Sequence, residues 1–127
     1  MTKNQKFFIC EICGNIIGLI EDRGGPMTCC GVEMVELVPN TVEASFEKHI
    51  PAVEKTENGI KVQIGSVLHP SEKEHHIDFV YVRTENGGQR KGVTIGYAPE
   101  MEFCFVNDKP LEVFAYCNLH GLWKADI

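Results

Sequence analysis

Four cysteines near the N terminus constrain the fold of this chain more than any other feature. They are Cys10, Cys13, Cys29 and Cys30, with the spacing Cys-x2-Cys-x15-Cys-Cys. Two such pairs are strong sequence evidence for tetrahedral sulfur coordination of zinc or of a single iron. The first 37 residues contain little else that could build a core, and a segment this small normally needs a metal or disulfides to fold. We therefore predict a small metal-stapled domain over residues 1–37.

The spacing leaves the metal of this first site open. Cys29 and Cys30 are adjacent, whereas zinc ribbons normally keep two to four residues between paired ligands. Zinc would make the site a structural staple, while iron held by four thiolates would cycle between ferric and ferrous states and carry electrons. Gly14 and Gly31 follow the two pairs, where tight turns would direct peptide N–H groups at sulfur.

Composition and charge exclude several classes of partner. The chain has 127 residues, 43% of them hydrophobic and 24% charged, and its net charge is −6. Because no basic stripe is available to neutralise phosphates, we do not expect a nucleic-acid partner. No apolar run is long enough for a signal peptide or a membrane span, so we expect a cytoplasmic protein with no membrane partner. In that compartment the six cysteines are expected to be thiols or metal ligands rather than disulfides.

From Thr41 onward the sequence shows the alternation typical of half-buried β-strands. Alternating runs cover residues 42–46, 60–64, 101–105 and 111–117, and the segment 77–83 is also rich in β-formers. Hairpin signals lie at Asn58-Gly59, Asn86-Gly87-Gly88 and Asn107-Asp108. No window has a helical period of useful length. We predict a mainly β protein in which residues 38–127 form an immunoglobulin-like antiparallel β-sandwich of about seven strands.

A second group of potential metal ligands comes from four distant segments. Its members are His49, His69, His75, Cys117 and His120. Cys117 shares the parity of the apolar positions 111, 113 and 115, so it should point inward at the end of its strand, and His120 can close on the same metal. His49 is expected to end the first strand before Pro51, which cannot donate to a central ladder. Several imidazoles with one thiolate indicate a metal that takes part in chemistry.

Three neighbouring features are less decisive. His75 and His76 are adjacent, so in an extended segment they point to opposite faces; only one can face the site, and the spacing does not select which. Cys104 has the opposite parity to its apolar neighbours and is interpreted as a half-buried free thiol rather than a ligand. Arg90-Lys91 follows a glycine pair and is interpreted as part of a solvated turn.

With both groups assembled, the chain closely resembles the desulfoferrodoxin family, the two-iron form of superoxide reductase. The resemblance is carried by CEICGN and GGPMTCCGVEM in the first domain, and by EKHIP, HPSEKEHHI and YCNLHGLWKA in the second. It runs from Phe7 to Ala125. Ser71 stands where a methionine is common and residues 83–96 diverge, but neither departure touches a candidate ligand.

The resemblance implies an enzyme with two iron ions per chain. The four cysteines would hold one iron in a desulforedoxin-like domain. A catalytic ferrous ion would have His49, His69, His75 and His120 in its equatorial plane and Cys117 as axial ligand, which selects His75 over His76. The implied reaction is the one-electron reduction of superoxide to hydrogen peroxide, with electrons from a rubredoxin-like donor. The implied role is detoxification of reactive oxygen in an anaerobe or microaerophile, by a homodimer.

The resemblance also gives catalytic roles to Glu47 and Lys48. Lys48 would direct superoxide to the open sixth position of the iron, and Glu47 would occupy that position once the iron is oxidised. The net charge of −6 opposes an anionic substrate. The Debye length is only ~8 Å at physiological salt, however, so a lysine close to the iron can outweigh distant charges.

Two other functions remain open from the residues alone. The chain could be a non-catalytic electron carrier or zinc-ribbon protein whose second metal is structural. It could also be a superoxide dismutase, which would return oxygen as well as peroxide and need no reductant. Metal content, visible charge-transfer bands and consumption of reductant distinguish the three.

Overall fold

The computed structural model describes residues 4–127, and the chain divides into two compact units, Met1–Val38 and Pro39–Ile127. The strands of the first unit are β1 (Lys6–Ile9), β2 (Ile16–Leu19), β3 (Thr28–Cys29), β4 (Val32–Glu33) and β5 (Val35–Glu36). The second unit has helix α1 (Phe46–His49) and strands β6 (Pro51–Lys55), β7 (Gly59–Ile64), β8 (Ile77–Thr84), β9 (Gly87–Gly92), β10 (Glu100–Cys104), β11 (Pro110–Cys117) and β12 (Gly121–Asp126). Over residues 4–127, no helix has the length and hydropathy needed to cross a bilayer.

The first unit has very little hydrophobic core. It consists of a three-stranded antiparallel sheet in the order β2-β1-β5 and a separate β3-β4 hairpin. Of its described hydrophobic side chains, those of Phe7, Cys10 and Met34 are buried. A core of this size cannot stabilise an independent fold, so the cysteine ligand set must contribute much of the folding free energy.

The second unit is a β-sandwich of seven strands, so the predicted fold class is confirmed. One sheet has the order β10-β7-β6 and the other β12-β11-β8-β9. The core between them takes alternate residues from both sheets: Ile60, Val62 and Ile64 from β7, Phe103 from β10, Val80 and Val82 from β8, and Val113, Ala115 and Cys117 from β11. The predicted inward face of β11 therefore ends on Cys117, whose side chain is fully buried.

The segment predicted as the first strand of the sandwich is irregular over residues 42–45 and helical from Phe46. Residues 42–46 form no strand; α1 begins at Phe46 and ends at His49. Val42 and Phe46 are both exposed, so their alternation does not correspond to a buried face. Strand β6 begins only at Pro51 and lies at the edge of its sheet, where a residue without a backbone N–H is tolerated. His49 consequently occupies the end of a helical turn.

Two turn assignments are also wrong. Arg90 and Lys91 lie in strand β9, which pairs with β8 although all six of its residues are exposed, so no alternation marks it in the sequence. Asn107-Asp108 does not close a hairpin, because β10 and β11 belong to different sheets. The prediction that the Cys104 side chain is half-buried is also wrong, because the structure leaves it exposed.

Gly65 permits a close approach between the loop after β7 and the α1 turn. A Cβ placed on Gly65 would lie 2.6 Å from the carbonyl oxygen of Glu47 and 2.9 Å from that of Ile50. The same loop contacts the Glu47 carbonyl oxygen, which accepts hydrogen bonds from Val67 N at 2.8 Å and Ser66 Oγ at 3.2 Å. A side chain at position 65 would separate these segments.

Gly65→Ala is therefore expected to lower the free energy of unfolding by about 1–3 kcal/mol, the usual cost of inserting atoms where backbone must move. Gly92→Ala is the matched control, because the nearest atom to its Cβ would be the Asp78 carbonyl oxygen at 4.0 Å. That variant should stay within about 0.5 kcal/mol of the unaltered chain. Urea unfolding measures both, and equal effects would contradict the proposed close approach.

Candidate metal centres

Two chain reversals build the four-cysteine site of the first unit. Cys10 follows β1 and Cys13 lies in the turn that leads to β2, while Cys29 ends β3 and Cys30 lies in the turn that leads to β4. Their four sulfur atoms lie within 4.8 Å of one another. The Sγ atoms of Cys13 and Cys29 are 3.6 Å apart, and those of Cys29 and Cys30 are 3.9 Å apart. All four predicted ligands of this site are brought together.

The turn geometry explains how adjacent cysteines share one site. Cys30 and Gly31 form the two-residue loop of the β3-β4 hairpin, and both have positive φ, 54° and 76°. Positive φ at both central positions is the signature of a type I′ turn. Cys29 thus ends a strand while Cys30 begins the turn, and the sharp reversal directs both sulfur atoms to the same point without a spacer.

The thiol groups of this site differ in acidity. The peptide N–H of Cys13, whose nitrogen lies 3.5 Å from Cys10 Sγ, lowers the pKa of Cys10 to about 6. The neighbouring Cys13 and Cys10 sulfurs raise the pKa of Cys29 to about 12. Without a cation the four groups cannot all ionise so close together, whereas a metal ion would stabilise all four thiolates.

The second ligand set lies in the β-sandwich unit. His49 ends α1, His69 and His75 lie in the connection between β7 and β8, Cys117 ends β11, and His120 lies in the turn before β12. The ligand atoms of the first three histidines and of Cys117 lie within 4.8 Å of one another. His120 joins them, with Nδ1 at 3.1 Å from His49 Nε2 and 3.9 Å from Cys117 Sγ. The structure thus brings all five residues together.

The four imidazole rings form the corners of a square. Neighbouring ring centroids are separated by 4.8 Å (His49–His69), 4.6 Å (His69–His75), 5.1 Å (His75–His120) and 4.9 Å (His120–His49). The diagonal from His49 to His75 is longer, at 6.3 Å. Four imidazole rings arranged around a common centre, with the Cys117 thiol beside them, match a square set of ligands better than a tetrahedron.

Local hydrogen bonds select which ring nitrogen faces the centre. Nδ1 of His49 lies 2.6 Å from the Ser45 carbonyl oxygen, and Nδ1 of His69 lies 2.7 Å from that of Pro70. Nδ1–H donation to a carbonyl leaves Nε2 free to bind a metal. Nε2 of His69 and of His75 are buried without a hydrogen-bond partner among the described residues. His120 instead presents Nδ1. Buried, unpaired nitrogens with free lone pairs fit a metal ion.

Burial keeps this ligand set neutral at physiological pH. Desolvation lowers the pKa of His69 to about 4, and it also lowers the pKa of His49 and of His75. Burial raises the pKa of the Cys117 thiol, and peptide N–H groups of Leu119 and His120 oppose that shift. Neutral imidazoles are ready to coordinate, while the buried thiol needs a metal cation before it ionises readily.

Trp123 supports two of the ligands, although no sequence pattern marks it as part of the site. Its ring is fully buried and stacks on His49, with centroids 4.8 Å apart and planes 26° apart. Its Nε1–H donates to the carbonyl oxygen of His120 at 3.1 Å. Trp123 is the sole tryptophan of the chain and lies three residues after the candidate ligand His120, and that spacing alone does not predict a contact with the site.

The remaining candidates lie around this ligand set. Glu47 and Lys48 are exposed on the α1 turn directly before His49. After burial and the neighbouring imidazoles, the charge of Lys48 also contributes to lowering the pKa of His49 and His75. The ring of His76 points elsewhere, with Nε2 at 2.8 Å from Asp78 Oδ1, while His75 joins the square.

The donor sets distinguish the metals that each site can hold. Five donors that include a square of imidazoles do not match the closed tetrahedral sites typical of structural zinc. Imidazole and thiolate together suit iron, and four thiolates suit a single iron equally well. The fold and the two ligand sets define a two-iron protein, in which a small cysteine-rich unit accompanies a β-sandwich with a four-histidine, one-cysteine centre.

Comparison with known proteins identifies the family. The desulfoferrodoxin family model matches residues 41–126, and the model of the desulfoferrodoxin N-terminal domain matches residues 2–37. A desulfoferrodoxin from Syntrophotalea carbinolica is 40% identical over 126 residues, which cover 99% of each chain. The chain belongs to the desulfoferrodoxin family, and the predicted resemblance is confirmed.

Solved structures give the same result. The superoxide reductase from Treponema pallidum has a TM-score of 0.83 and 34% identity, with coverage of 98% of this chain and 100% of that one. A one-iron superoxide reductase from Giardia intestinalis has a TM-score of 0.55 and 27% identity, and covers 64% of this chain and 97% of its own. Both the metal-stapled fold and the sandwich therefore have counterparts of known structure.

The depressed histidine pKa values predict how the metal-free protein responds to acid. Above pH 6.5 His69 is neutral whether the chain is folded or unfolded. Below that pH the unfolded chain takes up the proton first, so stability falls until the folded-state pKa of about 4 is reached. The loss from this residue amounts to about 3 kcal/mol, and His49 and His75 act in the same direction.

Denaturant midpoints of the metal-free chain should accordingly fall between pH 6.5 and 4. In His69→Gln the fall should be shallower over the same interval, because one of the groups that titrates differently in the two states is gone. Parallel curves for the two proteins would contradict the assignment.

Proposed function

We propose that this protein is a superoxide reductase that acts at the ligand set of His49, His69, His75, Cys117 and His120. In the reaction one superoxide anion, one electron and two protons give one hydrogen peroxide. Glu47 and Lys48 are the proposed catalytic residues, and the five ligands hold the catalytic iron. The other iron would be held at the first site by Cys10, Cys13, Cys29 and Cys30.

The observation that carries this proposal is the square of four neutral imidazoles beside one buried thiol. Iron bound there would supply the electron by passing from the ferrous to the ferric state. Because the imidazoles carry no charge, a dication balanced by a single thiolate leaves one net positive charge for an anionic substrate. The Cys117 thiolate is the strongest electron donor of the set and is held in place by the end of β11.

Lys48 and Glu47 are proposed to act on the anion before and after it reacts. Both side chains are exposed on the α1 turn that ends in His49, so solvent and substrate reach them from outside. The Lys48 ammonium supplies a positive charge close enough to act on the rings of His49 and His75. Its attraction operates within a Debye length of ~8 Å, whereas the more distant charges of the chain are largely screened. The Glu47 carboxylate, one residue before Lys48, is an anionic group of the right type to displace the peroxide product from the site.

The electron supply is assigned to the first unit and an external protein. We assign residues 1–37 to a desulforedoxin-like iron domain and residues 38–127 to the catalytic domain. Four thiolates stabilise both oxidation states of a single iron, so the first site is suited to store or relay one electron. A rubredoxin-type protein is the proposed donor, since it too transfers single electrons.

Assembly and setting are further parts of the proposal. Among the described residues of a unit of only 38, the large exposed hydrophobic side chains are Ile12, Ile20, Val32, Val35 and Val38, which suits burial against a second copy in a homodimer. The six cysteines, all within residues 4–127, form no disulfide, and this suits the reducing cytoplasm. The activity would detoxify superoxide in an anaerobe or microaerophile.

Superoxide decay with counted electrons tests the proposed reaction. The iron-loaded, reduced protein should consume one reducing equivalent from reduced rubredoxin for each superoxide removed and release no oxygen. Oxygen release without consumption of reductant would indicate a dismutase. Zinc in place of iron, with no visible charge-transfer band, would indicate a structural second metal and overturn the proposal.

Lys48→Ala should slow the second-order reaction with superoxide about tenfold or more and flatten its dependence on ionic strength, because the local positive charge is lost. Glu47→Ala is the matched comparison: it alters the neighbouring residue of the same turn, yet should leave the rate fast. Pulse radiolysis measures both. An unchanged rate in Lys48→Ala would exclude the proposed steering role.

A further inference from the structure

Asn118 connects the two chain segments that carry three of the ligands. It lies directly after Cys117 and two residues before His120. Its side-chain Oδ1 accepts a hydrogen bond from His76 N at 2.8 Å, and its Nδ2 donates to the Glu74 carbonyl oxygen at 2.9 Å. Its backbone N–H also donates to the His76 carbonyl oxygen, at 3.2 Å. These bonds span more than 40 residues of sequence and flank His75 on both sides.

His75 is the ligand with the least support of its own. The rings of His49 and His69 are oriented by hydrogen bonds from Nδ1 to nearby carbonyl oxygens, at 2.6 and 2.7 Å. Over residues 4–127 the ring of His75 has no such bond, and its backbone is tied only to Glu72, within the same loop. The position of its ring therefore depends on where the loop itself is held.

We propose that Asn118 is a positioning residue, whose side-chain amide holds the peptide groups on both sides of His75 against the Cys117–His120 turn. The amide bonds to one acceptor and one donor at once, which a carboxylate or a hydroxyl cannot do in the same geometry. Holding both flanking peptide groups fixes the translation and tilt of the loop, and so sets the distance from His75 Nε2 to the other ligands. The inference rests on the proposed iron site.

Asp108 supplies a control in the same unit. Its Oδ1 accepts hydrogen bonds from Asn86 N at 3.1 Å and from Lys109 N at 3.0 Å. It therefore also ties a loop to a distant backbone segment, but at the end of the sandwich where β8 ends and β11 begins, whereas the ligands lie where β8 begins and β11 ends. Asp108→Ala should destabilise the fold, because backbone donors lose their acceptor.

The test compares iron binding in the full-length chain and its variants. Ferrous ion is titrated against a competing chelator, and the visible thiolate-to-iron band of the oxidised second site is recorded. Asn118→Ala should weaken binding at the second site about 10- to 100-fold, the usual effect of losing a group that orients a ligand, and should shift the band. The tetrathiolate absorption of the first site should not change. Asp108→Ala should lower the melting temperature without altering second-site affinity or band.

Asn118→Asp provides a graded variant, and serves as the test if Asn118→Ala does not fold. It keeps the acceptor for His76 N but cannot donate to Glu74, so its affinity should lie between those of the unaltered chain and Asn118→Ala. Unchanged affinity and band in the Asn118 variants, or equal changes in Asp108→Ala, would overturn the positioning role while leaving the proposed function intact. An unaltered chain that retains no iron at the second site would instead overturn the proposed function.

Discussion

The site of four histidines and one cysteine depends on the pairing of strand β11 with both of its neighbours. Cys117 is opposite Gly121 on β12 and opposite Ile77 on β8. Each of those partners follows a ligand closely: His120 precedes Gly121, and His75 lies two residues before Ile77. The antiparallel register therefore delivers a thiol and two imidazoles to one end of the sheet. A register shift between Tyr116 and Cys117 adjusts the final residue of the strand. Side-chain alternation then turns Cys117 into the core.

The second sheet and its loops complete the ligand set. His49 and His69 reach the same end from the helical turn before β6 and from the connection after β7. The two segments pack closely at Gly65, where the backbone of the α1 turn leaves room for a hydrogen atom but not for a side chain. Trp123 then closes the arrangement from the other sheet, by stacking on His49 and bonding to the His120 carbonyl oxygen. The sandwich thus acts as a rigid frame, and the ligands occupy its rim.

The two metal sites illustrate different relations between binding and folding. In the described part of the first unit, Phe7 and Met34 are the buried hydrophobic side chains besides the ligand Cys10, so metal binding and folding are closely coupled. The second site sits on a sandwich with a continuous hydrophobic core, which can fold without it. There the metal-free protein retains unpaired buried nitrogens and histidines whose protonation is disfavoured. A bound cation would coordinate these nitrogens, so they would no longer be unpaired or need to bind protons. The site is therefore preorganised for metal.

The sequence by itself determined the composition of the first ligand set, because paired cysteines at this spacing have few other uses. For the second set it supplied the candidates, and the resemblance to the family selected His75 over His76. Parity was enough to place Cys117 inward, and the β-sandwich followed from alternation of apolar residues. Strand β9 escaped prediction because every one of its residues is exposed, and α1 because residues 42–46 alternate without burying a face. Only the tertiary structure decided how five ligands from four segments form a square, which nitrogen each ring presents, and that Asn118 and Trp123 hold them. Those features depend on backbone register and on hydrogen bonds between segments more than 40 residues apart, which local sequence patterns do not encode.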